Sequence, residues 1–178
     1  MITVPEIIET PRLILRRPLL SDAEAIFEFA RDSEVTRYME WPTHTSIENA
    51  KEYLQDCVPR WESASEYDWM ITLHEEKIVI GGISIRIHGH LADFGYILNR
   101  VYWGRGFATE AANAVVTWAS SQDFIYRIWA TCDVENLSSA RVLEKIGLTR
   151  EGVLRNWAIR PNLSQKPRDA FVYSKIRE

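Results

Sequence analysis

The chain has 178 residues, of which 46% are hydrophobic and 26% charged, and its formal net charge at pH 7 is -4. This length predicts a single domain, residues 1–178, with its own core, and the acidic balance argues against non-specific binding to nucleic acid or an anionic membrane. The first residues lack the basic and apolar regions of a signal peptide, and no segment has the ~18 apolar residues of a membrane span, so we expect a cytoplasmic protein.

The cysteines and histidines show no metal-binding pattern. Cys57 and Cys132 lie far apart, in neither metal-ligand nor redox spacing, so we expect two buried thiols in a reducing compartment. His88 and His90 flank Gly89 in a predicted turn, and without further potential ligands around them they are more typical of solvated turn residues. We therefore predict that the protein binds no metal ion.

The first third of the chain predicts one strand and two helices. Residues 12–17 alternate apolar and polar side chains like a half-buried strand, which Pro18 closes. Ser21 begins a helix that extends to about Arg31, with its apolar residues on one side. A second amphipathic helix begins at Thr45–Ser46, and Pro59 should bend or interrupt it.

Three further strands follow and form an antiparallel meander. They lie at residues 67–73, 78–87 and 93–98, with turns between them. The apolar residues of the second strand change phase at Gly81–Gly82, which indicates a bulge or a sharp bend.

The order of elements then changes to helix, strand, helix and terminal strands. The first helix runs from Gly104 to about Ser121, with a stripe of small residues, the strand from Arg127 to Cys132, and the second helix from Asn136 to Ile146. A strand-helix-strand unit implies a crossover with its helix packed on the sheet. The predicted fold class is therefore α/β, with a mixed, mostly antiparallel central sheet flanked by helices.

A possible phosphate site lies at Trp103–Ala108, between a predicted strand and a predicted helix. Its two glycines remove bulk, and the free N–H groups at a helix N-terminus attract anions. Arg105 supports this interpretation, because a cation is unfavourable there unless an anion binds. The alternative is a plain tight turn. A P-loop or a dinucleotide fingerprint does not fit the spacing or the preceding meander.

Four ordered motifs resemble a known family. Gly95–Leu98 with Tyr102–Ala111 resembles the acetyl-CoA motif of the GCN5-related N-acetyltransferases. Asn136–Leu148 is similar to the branch typified by the ribosomal-protein N-terminal acetyltransferases (RimJ/RimL-like), which Thr10–Arg16 and Arg168–Ser174 also fit. The resemblance covers nearly the whole chain and implies the acyl-CoA N-acyltransferase fold.

The resemblance implies a splayed gap between the fourth and fifth predicted strands, residues 93–98 and 127–132. The pantetheine arm of acetyl-CoA would lie there along the backbone, and the loop amides would hold the pyrophosphate. Asn136 and Ser139 would face the pantetheine and the thioester, although on sequence alone they could be a helix N-cap and a solvated residue. The implied cofactor-binding residues are Tyr96, Ile97, Leu98, Trp103, Gly104, Arg105, Gly106, Phe107, Ala108, Thr109, Asn136 and Ser139.

The sequence departs from the family pattern at two positions. Trp103 stands where Gln or Arg is usual, which removes a side-chain contact with phosphate. Leu143 stands where many relatives have a tyrosine that protonates the departing thiolate, so Ser139 is our candidate for that proton. The candidate base is Asp93, directly or through water, since by alternation it shares a face with Gly95 and Ile97. The alternative is an exposed strand-end aspartate.

The acceptor is expected to be a cationic amine in an aromatic, partly acidic groove. Tyr38, Trp41, Trp61, Trp69 and Trp157 are available to line it. A protein or peptide N-terminal amine is the leading expectation, and a polyamine, amino sugar or antibiotic is the alternative within the enzyme class. A non-catalytic acyl-CoA sensor is the alternative outside it. Either a monomer or a homodimer is compatible with the sequence.

Overall fold

The computed structural model describes residues 3–177 and contains one sheet with helices on both faces. Its strands are β1 (Ile7–Glu9), β2 (Leu13–Arg16), β3 (Tyr67–Leu73), β4 (Val79–His88), β5 (Leu91–Leu98), β6 (Arg127–Asp133), β7 (Thr149–Arg160) and β8 (Ser164–Ile176). Its α-helices are α1 (Ala23–Ala30), α2 (Ser33–Thr36), α3 (Ile47–Glu62), α4 (Phe107–Ser120) and α5 (Leu137–Lys145). Short 3₁₀ turns lie at Leu20–Asp22 and Arg100–Tyr102. None of the helices in residues 3–177 is both long and apolar enough to cross a bilayer.

The strand order in the sheet is β1-β2-β3-β4-β5-β6-β8-β7. All neighbouring strands are antiparallel except β5 and β6, which are joined by the crossover through α4. This confirms the predicted fold class of a mixed, mostly antiparallel sheet flanked by helices. The short strand β1 was not predicted.

The gap that positions the site lies between β5 and β6. These strands pair only from Leu91, opposite Arg127, to Asp93, opposite Trp129. From Gly95 to Leu98 the strand β5 keeps its pairing with β4 but has no partner on the other side within the described chain. The predicted splay is thus confirmed, and it leaves a row of backbone N–H and C=O groups open along one edge.

Two hydrophobic clusters cover the two faces of the sheet. One packs α4 and α5 against the face that carries Trp69, with Val115 and Leu143 among its buried members. The other packs α1 and α3 against the face that carries Met70, with Phe29 and Leu54. Since neighbouring residues of a strand point to opposite faces, both Trp69 and Met70 are buried. Cys57 and Cys132 are buried and free, as expected.

Two predicted features differ in the structure. The helix α3 passes through Pro59 without interruption, because the missing N–H falls in its last turn and costs a single hydrogen bond. The helix α4 begins at Phe107 and not at Gly104, because Gly104 and Gly106 have φ of +72° and +81°. The irregularity predicted at Gly81–Gly82 is present, but the extra residue of β4 is Ile80, one position before Gly81. There the β3–β4 register shifts between Ile71 and Thr72.

Candidate active site

A cavity of about 1040 Å³ opens where β5 and β6 separate. Asp93, Gly95 and Ile97 contribute to it from β5, and Asn136 and Ser139 contribute from the start of α5. The shared face of Asp93, Gly95 and Ile97 follows from the β4–β5 register, as predicted. The structure therefore places Asp93 and Ser139, which come from two distant parts of the sequence, on the lining of one cavity.

The loop before α4 follows the unpaired end of β5 and is open to solvent. Trp103, Gly104, Arg105 and Gly106 are exposed. The glycines adopt left-handed conformations that turn the chain tightly into the N-terminus of a 14-residue helix. The free N–H groups of that helix end suit a diphosphate. Of the other predicted loop residues, Ala108 and Thr109 are half-buried, while the Phe107 side chain is buried, so Phe107 could offer only its backbone amide.

Two arginines flank this helix end. The Arg105 guanidinium lies over the rings of Tyr102, at 5.6 Å, and Phe107, at 5.0 Å. Arg12 lies over Phe107 at 4.5 Å. It donates from Nε to Glu110 Oε2 at 2.6 Å and from Nη1 to the Arg105 carbonyl at 2.9 Å. Arg12 thus ties the loop to the first turn of α4. The sequence placed Arg12 on a strand and gave no signal for this contact.

Trp103 has a backbone partner. Its indole Nε1 donates to the Leu98 carbonyl at 2.8 Å, at the end of the unpaired part of β5. An indole has one donor, so the side chain has none left for a phosphate. Trp103 instead links the loop to the strand that borders the gap.

Tyr96 points to the opposite face of β5 and meets the start of α5. Its hydroxyl donates to Ser139 Oγ at 3.2 Å, and burial raises the pKa of Tyr96 to about 12, with the Ser139 hydrogen bond opposing the rise. Asn136 is the N-cap of α5, since its Oδ1 accepts from the Ser139 N–H at 3.2 Å. Asn136 is therefore the helix N-cap that the sequence offered as an alternative role. Its hydrogen bond to the Ser139 N–H holds Ser139 at the edge of the cavity.

Asp133 fixes the segment that leads into α5. It accepts hydrogen bonds from Arg168 Nε at 2.6 Å and from the Glu135 N–H at 3.0 Å. Burial would raise the pKa of Asp133, but these hydrogen bonds and the charge of Arg168 outweigh it and lower the pKa. The adjacent Cys132 is different, because burial raises the pKa of its thiol to about 11 and keeps it protonated at neutral pH.

Asp93 is the last residue of β5 that pairs with β6. Arg86 contacts only its Oδ2, through Nε at 2.8 Å and through Nη2. Oδ1 accepts no hydrogen bond from residues 3–177. The Arg86 guanidinium also reaches Glu66 Oε1 at 3.2 Å. One carboxylate oxygen of Asp93 is thus held in place while the other is available to accept a proton.

The aromatic walls of the cavity match the sequence expectation in part. Tyr38, Trp41 and Trp157 line it. The expectation for Trp61 and Trp69 is wrong, because these rings pack against each other at 5.4 Å within the apolar layer under the sheet. Trp129 was missed, and it lines the cavity 6.4 Å from Trp157. Trp129 and Thr131 lie two residues apart on β6 and therefore share one face of the strand, and both line the cavity. The alternation of side chains along β6 could have indicated this.

The polar lining is predominantly acidic. Seven carboxylates line the cavity against three arginines: Glu40, Glu52, Asp56, Glu66, Asp68, Asp93 and Asp133, with Arg60, Arg86 and Arg160. His44 was missed by the sequence reasoning. Its Nδ1 is buried without a hydrogen-bond partner in the described chain, and burial lowers its pKa. His88 and His90 are exposed at the β4–β5 turn. Within residues 3–177 no group of three or more potential metal ligands is assembled.

The family is decided by a match that spans most of the chain. Residues 12–149 match the family model described as an acetyltransferase (GNAT) domain. The chain belongs to the GNAT acetyltransferases. It is 34% identical over 174 residues to the uncharacterized N-acetyltransferase YoaA of Bacillus subtilis (strain 168), covering 96% of this chain and 97% of that protein. The resemblance inferred from the four sequence motifs is confirmed, and the chain is an enzyme of the acyltransferase class.

Solved structures support the same fold. A GNAT acetyltransferase from Bacillus anthracis superposes with a TM-score of 0.84 at 28% identity, covering 96% of this chain and 98% of that one. RimL, described as a ribosomal L7/L12 alpha-N-protein acetyltransferase in complex with coenzyme A, superposes with a TM-score of 0.85 at 22% identity, covering 96% and 98%. The likeness to RimL shows the fold of this GNAT chain and no more.

Proposed function

We propose that this GNAT protein transfers the acetyl group of acetyl-CoA to a primary amine, foremost the N-terminal amine of a protein or peptide. One observation carries the proposal. The unpaired edge of β5 beyond Asp93 runs from the acidic cavity to the open N-terminus of α4. A donor with an amide-containing arm and a diphosphate matches this edge and this helix end, and CoA has both. The cavity at the other end then receives the amine.

The described residues fit acetyl-CoA in specific ways. The backbone from Tyr96 to Leu98 would pair with the pantetheine arm, and the loop amides from Trp103 to Ala108 would hold the diphosphate. Arg105 would add a positive charge beside it. Acetyl-CoA supplies an activated thioester with a fair leaving group. The protein must then bind the amine, remove its proton and return a proton to the thiolate.

Asp93 is our proposed base. Asp93 lines the cavity, Arg86 contacts its Oδ2, and Oδ1 accepts no hydrogen bond from the described residues. The acceptor enters as an ammonium ion and must lose a proton before it can attack the acetyl carbon. A backbone N–H on the open edge of β5 is the natural donor to the acetyl oxygen, because such groups are preorganised to stabilise developing negative charge.

Ser139 is our proposed proton donor to the thiolate. Since Tyr96 donates its own proton to Ser139 Oγ, the serine donates its proton elsewhere, and we propose the departing thiolate as its acceptor. The phenol also stabilises negative charge that develops on the serine oxygen. Leu143 is 1% exposed and has no ionisable group, so it cannot donate the proton that a tyrosine gives in many relatives.

Ser139→Ala is expected to lower kcat about 10-fold. This is less than the ~10²–10⁴-fold of a typical general acid, because a thiolate leaves readily without help. Steady-state release of free thiol measures it, with the KM for acetyl-CoA changing little. Ser138→Ala is the matched control, since Ser138 is an exposed residue of the same helical turn. A rise in KM with an unchanged kcat would make Ser139 a binding residue only.

The acceptor class is tested by the same assay with two sets of amines. Short peptides with a free N-terminus are compared with spermidine and glucosamine at equal concentration. We expect saturable thiol release with peptides at the highest kcat/KM, and none with the same peptides after N-terminal acetylation. A higher kcat/KM for spermidine or glucosamine would favour the small-amine alternative. Saturable CoA binding without thiol release for any amine would favour the sensor.

A further inference from the structure

The cavity has an inner end where α3 crosses β3. We call this the Asp68 pocket, lined by Tyr53, Arg60, Glu66 and Asp68, and we include Cys57, whose Sγ accepts a hydrogen bond from Arg60. Asp68 is only 3% exposed, yet it lines the cavity. The Tyr53 hydroxyl donates to Asp68 Oδ1 at 3.0 Å, whereas Oδ2 accepts no hydrogen bond from the described residues. Arg60 Nη2 stands 3.6 Å from that oxygen, beyond hydrogen-bond distance.

The charges around Asp68 do not balance. Three carboxylates, Glu66, Asp68 and Asp93, share two guanidinium groups, those of Arg60 and Arg86. Arg86 contacts Glu66 and Asp93, while Arg60 lies 3.5 Å from Glu66. With all three carboxylates ionised, one negative charge is left over, and burying an uncompensated charge is unfavourable. A cation from outside would remove that cost.

The other two polar residues of the Asp68 pocket supply no charge. Burial raises the pKa of Tyr53 well above its ordinary value and raises the pKa of the Cys57 thiol to about 11, so both are neutral near pH 7. Burial also raises the pKa of Asp68, and the neighbouring charge of Glu66 adds to the rise. A positive group bound beside Asp68 would oppose both effects, because it stabilises the ionised carboxylate.

A direct path joins Asp68 to the gap. Asp68 pairs with Ser84 on β4, and Ser84 pairs with Gly95 on β5, so the three residues form a row across the strands on the cavity face. Directly paired residues lie about 5 Å apart, which places Gly95 about 10 Å from Asp68. A Cβ atom built on Gly95 would meet nothing within 4 Å, so the end of the row at the gap is open. A flexible side chain or a short diamine spans such a distance.

We propose that Asp68 binds a second cationic group of the acceptor, an ammonium or guanidinium on a flexible aliphatic chain. This inference rests on the proposed function, because the first amine of the same molecule would lie at the gap beside Asp93. The second charge could belong to a basic side chain next to a peptide N-terminus or to a small diamine. Asp68 then determines acceptor specificity from a position separate from the reacting amine and the thioester.

Two matched pairs of acceptors test the inference. Butylamine is compared with 1,4-diaminobutane, and seryl-norleucyl-alanine with seryl-lysyl-alanine, in the thiol-release assay. We expect the dicationic member of at least one pair to be favoured about 10- to 100-fold in kcat/KM, the range of a hydrogen bond to a charged group. The pair that shows the preference identifies the source of the second charge. Asp68→Asn should reduce that preference to near unity.

The control variant is Asp56→Asn. Asp56 also lines the cavity and carries the same charge, but it is exposed on α3. Its replacement should change the preference less than about two-fold, because water screens an exposed charge. Loss of the preference in both variants would mean that the general acidity of the cavity selects the dication, and it would overturn the role of Asp68.

The remaining outcomes separate the inference from the proposed function. Equal kcat/KM within both pairs overturns the inference while leaving acetyl transfer intact. If no amine gives thiol release, the proposed function fails, and the inference is decided by binding. In that case 1,4-diaminobutane should raise the Tm of the unaltered protein more than butylamine does. An equal or absent shift overturns it, and this measurement does not depend on whether Asp68→Asn folds.

Discussion

Replacing Asp93 with asparagine is expected to lower kcat about 10²- to 10⁴-fold, the range for loss of a positioned general base. Asparagine is close in shape to aspartate and can still accept a hydrogen bond from Arg86 at its side-chain oxygen. The amide has no basic oxygen, however, and cannot take the proton of the acceptor ammonium. We expect the KM for acetyl-CoA to change little, since Asp93 is proposed to act on the acceptor amine.

The pH profile provides the second measurement on Asp93→Asn. The pH–rate profile of the variant should differ from that of the unaltered enzyme, because the variant lacks the proposed base. Glu52→Gln is the control, because Glu52 is a carboxylate of the same cavity but is exposed on α3. An unchanged kcat and an unchanged pH profile in Asp93→Asn would rule out Asp93. His44, whose lowered pKa keeps it neutral near pH 7, would then be the next base to test.

The elements of the proposed donor side could be predicted because they lie close together in the sequence. The strand, the glycine loop and the helix from Gly95 to Ala111 form one continuous segment, and the motif resemblance assigned its role. Its local geometry was less accessible. The helix start was displaced by three residues, because the left-handed φ of Gly104 and Gly106 depends on how the chain leaves β5. Likewise the Trp103 contact with Leu98 depends on the tertiary turn.

The acceptor side could not be predicted in the same way. Asp68 alternates with Tyr67 and Trp69, a pattern that usually places the polar residue in solvent. Here α1 and α3 cover the face of the sheet that carries Asp68. Asp68 is therefore buried, as are its sequence neighbours Tyr67 and Trp69 on the opposite face. The helix α3 brings Arg60 to the same place by a tertiary contact that no local pattern encodes. Trp69 points to the other face of the sheet, which α4 and α5 cover, so it belongs to the core and not to the cavity.

Gly81→Ala is expected to destabilise the protein by about 3 kcal/mol, the upper range for an overpacked site. A Cβ atom at Gly81 would stand 2.3 Å from the Ile97 carbonyl oxygen and 3.0 Å from Leu98 Cα. Both are backbone atoms of the paired strand and cannot move without disrupting the β4–β5 ladder. Urea denaturation followed by circular dichroism measures the free energy of unfolding.

Gly82→Ala is the matched control for this substitution. The first contact of its Cβ would be Met70 Cε at 3.3 Å, the end of a flexible side chain that can shift aside. We expect a loss below about 1 kcal/mol. Equal losses in the two variants would show that the backbone approach at Gly81 is not the constraint. A functional consequence follows for Gly81→Ala alone. Because Ile97 and Leu98 form the open edge proposed for the donor, any protein that still folds should show a raised KM for acetyl-CoA, whereas Gly82→Ala should not.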